Sequence, residues 1–282
     1  MPSAQDIKRR IKGVVSTQQI TKAMKMVATA RLRRAQEMAG ASLPYAEKIR
    51  SVLSSLAASN TSASHPLMEV RSEEKKLFIV LSADKGLAGA YMSNLVKEVM
   101  PHITSSSPLV VVGRRCVDYL KRRDYNILHS HIGFSEKPTY DHARMIAKEI
   151  TYLFLTGKCD QIYLAYTKFY SPIKVEPTIV KLLPLDEVLA ESKDTPHGDY
   201  IFEPSPEDVL AVLLPKYLEM TIYAALLQSA ASELGARMTA MGSATDNAEE
   251  LISQLTLYYN QVRQAAITNE ISEIVGGADA LK

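Results

Sequence analysis

Tyr217 to Ala266 reads YLEMTIYAALLQSAASELGARMTAMGSATDNAEELISQLTLYYNQVRQAA, and through it an apolar side chain returns every three or four positions. The series is Tyr217, Met220, Ala224, Leu227, Ala231, Leu234, Met238, Met241, Thr245, Ala248, Ile252, Leu255, Tyr259, Val262 and Ala266, with Thr245 its one polar member. Such spacing draws a single narrow stripe along a helix, the mark of a coiled-coil seam rather than the broad face of a globular-core helix. At about 1.5 Å per residue this stretch makes a rod of roughly 75 Å, longer than a compact domain is wide. A rod needs a partner helix.

The partner within the chain is the N-terminus. Residues 6–39 hold no proline and one glycine, Gly13, and apolar residues recur at Ile7, Ile11, Val14, Ile20, Met24, Ala28, Leu32, Ala35 and Ala39. Antiparallel pairing of the first and last segments leaves the middle of the chain as a separate body. The expected organisation is an N-terminal coiled-coil helix over 1–58, a linker over 59–74, a central α/β domain over 75–195, and a foot segment with the C-terminal coiled-coil helix over 196–282. Gly235 and Gly242 fall inside the long helix, where each costs about 1 kcal/mol relative to alanine. Close approach of the partner helix is the expected compensation.

In the middle, apolar runs at 76–83, 108–113, 125–131, 161–169 and 177–183 alternate with helical patterns near 89–100, 115–123 and 140–156. This alternation predicts a Rossmann-like α/β domain of about five strands in a mostly parallel sheet. The YSPIKVE connection between the last two runs is too short for a crossover, so that pair is expected to be antiparallel. Downstream, EPSPED over 203–208 predicts a helix start with Ser205 as N-cap, Pro206 in first position and acids against the dipole. Pro215 then predicts a kink or short break at Leu213 and Leu214.

Composition narrows the function. The chain has 282 residues, is 46% hydrophobic and carries a net charge of +2. No run of eighteen apolar residues occurs, so no membrane span and no direct bilayer insertion are expected. The basic start lacks a following apolar region, so it does not read as a secretory signal. Cys116 and Cys159 are isolated, which suits two structural thiols in a reducing compartment. The small net charge hides a polarity. Residues 1–34 hold Lys8, Arg9, Arg10, Lys12, Lys22, Lys25, Arg31, Arg33 and Arg34 against Asp6, a segment of +8, so the rest sums to −6. Pairing within one helix cannot absorb that, and an acidic partner surface is expected.

Chemical motifs are scarce. The turn after the first strand, SADKGLAGAY over 82–91, matches neither G-x-G-x-x-G nor the P-loop pattern, since Lys85 precedes Gly86. Gly86 and Gly89 read as turn and close-approach glycines, and Asp84 has no paired carboxylate or histidine nearby in sequence. His129 and His131 share one strand face, yet two histidines without a third ligand make a poor metal site. No catalytic residue, cofactor or metal is expected.

IKGVVSTQQITKAMKMVATARLRRAQ near the start, LSADKGLAGAY after the first strand, and ARMTAMGSATDNAEELISQLTLYYNQVRQAAITNEISEIVGGADA at the end together resemble the gamma subunits of rotary ATP synthases. The resemblance covers essentially the whole chain in order, YIFEP over 200–204 included. It implies an antiparallel coiled-coil shaft with an α/β domain at its base, turning inside a ring of alpha and beta subunits and itself not catalytic. Implied head contacts are Lys8, Arg9, Lys22, Met24, Lys25 and Arg237, with a catch region at Arg263, Gln264, Thr268 and Glu270. Tyr200, Phe202 and Glu203 map onto the foot that meets the membrane c-ring, and an epsilon subunit is a further implied partner. The implied location is the cytoplasmic face of a bacterial cell membrane, as a peripheral part of the complex. The dithiol insertion of chloroplast relatives is absent, so no redox switch is expected.

Two other readings compete. An α/β nucleotide-dependent enzyme with a helical oligomerisation arm needs a phosphate loop or catalytic constellation. A nucleic-acid binder would interleave aromatics with its basic helix, yet the first tyrosine is Tyr45 and no aromatic precedes it. No nucleic-acid partner is expected.

Overall fold

The computed structural model describes residues 3–58, 65–71, 75–185 and 203–280. The chain divides into two compact units, one of Met1–Val27 with Met238–Lys282 and the other of Ala28–Arg237.

The second unit contains the sheet. Its strands are β1 (Lys76–Leu81), β2 (Leu109–Val112), β3 (Ile127–His131), β4 (Gln161–Ser171) and β5 (Lys174–Leu183), ordered β3-β2-β1-β4-β5. β1 pairs parallel with β2 and with β4, β2 pairs parallel with β3, and β4 with β5 is antiparallel across a tight hairpin. The five-strand, mostly parallel sheet with an antiparallel last pair is as the sequence predicts. Between the strands lie α2 (Tyr91–Val99), α3 (Arg114–Lys121) and α4 (Tyr140–Leu155).

Successive strand residues face opposite sides, so β1 feeds two cores at once. Phe78 and Val80 join Leu95, Val99, Val117 and Leu120 of α2 and α3. Leu77, Ile79 and Leu81 join Ile146, Ile150 and Phe154 of α4 on the other face. There they also meet Ile49, Leu53 and Leu56 of the first long helix, α1 (Ala4–Ala58), and Leu210, Leu214 and Leu218 of the last, α5 (Pro206–Ala280). Each such fully buried side chain stabilises the fold by about 1.5–3 kcal/mol through area removed from water.

Gly113, between β2 and α3, has φ +101°, and a Cβ there would lie 2.5 Å from the Ser82 carbonyl oxygen. Only glycine suits that junction.

Both long helices start on a serine N-cap, reciprocal in the first. Ser3 Oγ accepts from Asp6 N at 3.2 Å while Asp6 Oδ2 accepts from Ser3 N at 3.3 Å. Ser205 Oγ accepts from Asp208 N at 3.1 Å, which makes Ser205 the N-cap and puts Pro206 first in the helix. The break expected at Leu213 and Leu214 does not occur, for α5 runs uninterrupted through Pro215. Leu210, Leu214 and Leu218, all 0% exposed, hold the helix on both sides of the proline, and that packing outweighs the roughly 3 kcal/mol an interior proline costs.

Among the described residues, one helix is apolar enough by length and composition to cross a membrane, over Pro206–Gly276. Many of its apolar side chains belong to the core, among them Leu210, Leu214, Leu218, Ile222, Leu226 and Leu227, all buried.

In the first unit the two helix segments form an antiparallel coiled coil. Thr21 faces Thr245, and one turn on Lys25 faces Gly242, so numbers rise along one helix as they fall along the other. Seam positions Met241 and Ala248 are buried, Ile252, Leu255, Tyr259 and Val262 are half-buried, and off the seam Leu257 is 64% exposed. On α1, Ile20 is a correction: it is 57% exposed, and Thr21 takes the seam at 8%. The strict repeat Ile7, Ile11, Val14, Gln18, Thr21 runs past Ile20, and the Thr21 hydroxyl meets that of Thr245 at 2.8 Å. Gly242 packs under the Lys25 side chain with a virtual Cβ 3.5 Å from Nζ, as a close-approach glycine should. Gly235 differs, because its close neighbours are Phe169 and Pro172 at the β4–β5 hairpin rather than a partner helix.

Candidate partner interface

Because the seam takes up one face of α1, the cations fall on the others. Lys8, Arg9, Lys22 and Lys25 are all exposed, and Met24 is half-buried beside the seam. Among the described residues Arg9 pairs with Asp6, 4.0 Å away with both side chains well solvated, a pair of little energetic weight. Lys22 and Lys25 line a hollow of about 500 Å³ together with Gln18, Gln19, Met26, Thr245, Asp246 and Glu249. Acids of the paired helix therefore stand in the same hollow as these two lysines.

At the far end of α5 the seam runs out. From Arg263 to Gly276 every residue is exposed, including Arg263, Gln264, Thr268 and Glu270. Four large apolar side chains share those turns: Ile267 at 47%, Ile271 at 57%, Ile274 at 71% and Val275 at 55%. None of them is among the contacts the resemblance implies. Their signal was the 4-3 spacing of Ile267, Ile271 and Ile274, one position off the seam register. Glu203 is exposed just ahead of the Ser205 cap, while Tyr200 and Phe202 lie outside the described residues.

Arg237 is placed differently from the other expected contacts. It is 6% exposed, and its guanidinium is held within the chain. Nη2 donates to Glu233 Oε1 at 2.6 Å and to the Gly86 carbonyl at 3.3 Å, and Nη1 lies 3.1 Å from Glu136 Oε1. Arg31 and Lys85 bind the other oxygen of Glu136, Lys85 at 3.1 Å. Desolvation raises the pKa of Glu233 above the usual carboxylate range, and Arg237 only partly offsets it.

Asp84 is a structural carboxylate. It accepts from the backbone of Arg114 at 3.0 Å, Gly133 at 2.8 Å and Ser135 at 2.9 Å, tying together the loops that follow β1, β2 and β3. Desolvation raises its pKa, but these donors prevail and hold it below the ordinary value. His129 and His131 both lie 2.9 Å from Glu149, one on each carboxylate oxygen. Among the described residues no group of three or more His, Cys, Asp or Glu side chains is placed to hold a metal ion. Cys116 and Cys159 are free and buried, and burial pushes their thiols up to about 12 and about 11.

An antiparallel helix pair with a packed seam and charged flanks, built from the two ends of a chain whose middle is an α/β sheet, defines a coiled-coil stalk protein. Residues 3–281 match the family described as ATP synthase. The ATP synthase gamma chain of Heliobacterium modesticaldum is 49% identical over the full length of both chains. That of Desulforamulus reducens is 48% identical, again over the whole of both. A chain in the Tetrahymena thermophila mitochondrial ATP synthase central stalk and c-ring structure is 26% identical with TM-score 0.61, covering 80% of this chain and 99% of that one. One in the Euglena gracilis mitochondrial OSCP/F1/c-ring structure gives TM-score 0.73 over 99% of this chain and 94% of that one, a likeness of fold at 18% identity. The chain belongs to the ATP synthase gamma-chain family, and its role is that of the central rotor shaft.

Proposed function

We propose that the chain is the non-catalytic axle of its complex, carrying rotation between a membrane c-ring and a catalytic head of alpha and beta subunits at the cytoplasmic face of the cell membrane. The observation that carries this reading is the far end of α5. There the seam stops, the helix continues, and charged and apolar side chains are exposed together from Arg263 to Gly276. An apolar cluster with a charged rim suits a surrounding protein sleeve. Arg263, Gln264, Thr268 and Glu270, with Ile267, Ile271 and Ile274, would meet the head there, and Lys8, Arg9, Lys22, Met24 and Lys25 would meet it along α1.

Because one side of an asymmetric shaft touches each catalytic site in turn, each site is biased toward a different conformation by differential contact. Glu203, with Tyr200 and Phe202, would contact the polar loops of the ring, and an epsilon subunit would bind beside them. The test is co-purification. Tagged chain expressed with alpha and beta subunits is expected to retain an assembly with ATPase activity, and a chain ending after Val262 to lose it. If the full-length chain retains neither subunit, the reading fails.

A further inference from the structure

The polar ties between α5 and the sheet domain point beyond the axle role, on which the following inference rests. Apolar packing is non-directional, so by itself it lets a helix creep about its own axis. Directional bonds do not. Along α5, Gln228 accepts from the Phe169 backbone at 2.9 Å, Ser229 meets the Tyr91 hydroxyl at 2.6 Å and donates to the Leu81 carbonyl at 3.1 Å, and Ser232 donates to the Thr167 carbonyl at 2.9 Å. The row ends at Glu136, a carboxylate with only 10% of its side chain exposed. Three cations from three elements converge on it: Arg31 of α1, Lys85 of the β1–α2 loop and Arg237 of α5.

We infer that Glu136 is a torsional lock, the positioning residue that fixes both long helices against rotation relative to the sheet domain. Glu136 sits on the β3–α4 loop, beside Ser135, which donates its backbone N–H to Asp84. Its backbone is thereby fixed to the strand ends. Its Oε1 faces the Arg237 guanidinium of α5 as an ion pair and its Oε2 accepts from Arg31 of α1, so turning either helix must draw a cation away from a carboxylate in a largely dry site, where the attraction is strong. The Lys85 arm is 64% exposed and contributes least.

The experiment uses the assembled complex with a bead attached through Lys121→Cys on the sheet domain. Glu136→Gln keeps the shape and removes the charge, and Glu136→Asp keeps the charge. With Glu136→Gln we expect unchanged ATPase, wider angular fluctuations of the bead at stall, and fewer ions pumped per ATP, with Glu136→Asp recovering part of both. Wild-type fluctuation width and pumping ratio in Glu136→Gln would overturn the lock. So would a lowered melting temperature with unchanged fluctuations, because that is what a merely structural ion cluster gives. Should Glu136→Gln not assemble, Arg31→Gln severs the α1 arm at a half-exposed position and decides the matter by the same two readings. Failure of the wild-type complex to rotate would count against the axle reading instead.

Discussion

At the scale of single residues, burial decides what each side chain contributes. Leu234 is 1% exposed, so Leu234→Ala is expected to cost about 2–5 kcal/mol in chemical denaturation of the isolated chain. Ile252→Ala, half-buried, should cost less, and Leu257→Ala, 64% exposed, within about 0.5 kcal/mol of nothing. Equal losses at all three would refute the seam register. Gly113→Ala must move the backbone of Ser82 or abandon its φ, and is expected to destabilise by more than about 1 kcal/mol. No sequence signal marked Gly113, because its constraint is a contact with a strand end thirty-one positions away.

Glu233 supplies a pH prediction. Its pKa is raised by desolvation, so its favourable contribution is complete below the unfolded value and is lost as pH rises through the folded one. Facing it are Arg237 on its own helix, Ser135 and Glu136 from the β3–α4 loop, and Tyr91 from α2. Arg237→Met removes the group that lowers the Glu233 pKa. The variant's deficit in stability against wild type is therefore expected to be larger at pH 8 than at pH 5, and Glu233→Leu in the same background to erase that difference. A deficit equal at both pH values would place the ionisation elsewhere.

At the scale of elements, the periodicities were legible and the polar exceptions were not. The five strands and the helices between them fall within a few residues of where alternation put them, because a sheet covered on both faces leaves long apolar runs. The seam of α5 follows the spacing from Met241 to Val262, but Ala266 is exposed, and before Arg237 the helix is buried on several faces against the sheet domain rather than along one stripe. Ile20 misled because apolarity was weighted above register, although a lone Thr245 in one seam implied a hydroxyl partner in the other. Thr21→Val is expected to cost no more than about 1 kcal/mol, since Thr245 keeps the Met241 carbonyl as acceptor at 2.7 Å, and the Thr21→Val/Thr245→Val pair less than the sum of the singles. Simple additivity in that cycle would mean the two hydroxyls do not interact. The break expected at Pro215 is absent for the opposite reason, since local propensity yields where three fully buried leucines hold the helix.

The surplus of positive charge also looks different once the elements are paired. Residues 238–282 hold Asp246, Glu249, Glu250, Glu270, Glu273 and Asp279 against Arg263 and Lys282. Much of the acid that the basic helix called for is thus supplied by the helix beside it.

At the scale of the molecule, that balance sharpens what a charge reversal should do. Lys22→Glu with Lys25→Glu would put four acids around the hollow that also holds Asp246 and Glu249. The double variant is expected to fold and assemble with reduced ATP-driven ion pumping, while Lys22→Gln with Lys25→Gln shows a smaller loss. Wild-type pumping and ATPase in both would remove the electrostatic role of α1. The candidate interface was only partly legible, because exposure depends on where the seam ends and Arg237 could not be known to be buried without the β3–α4 loop that reaches it.

The isoleucines at the end of α5 carry a consequence for the life of the chain before assembly. Ile267, Ile271, Ile274 and Val275 form an adhesive tip while no other protein covers them. On the proposed axle reading, a newly made shaft stays in that state until its partners cover it, so synthesis out of step with them is expected to expose it to clumping and degradation. On that reading, the level of this subunit is expected to follow the supply of the subunits that cover the tip more closely than its own folding stability.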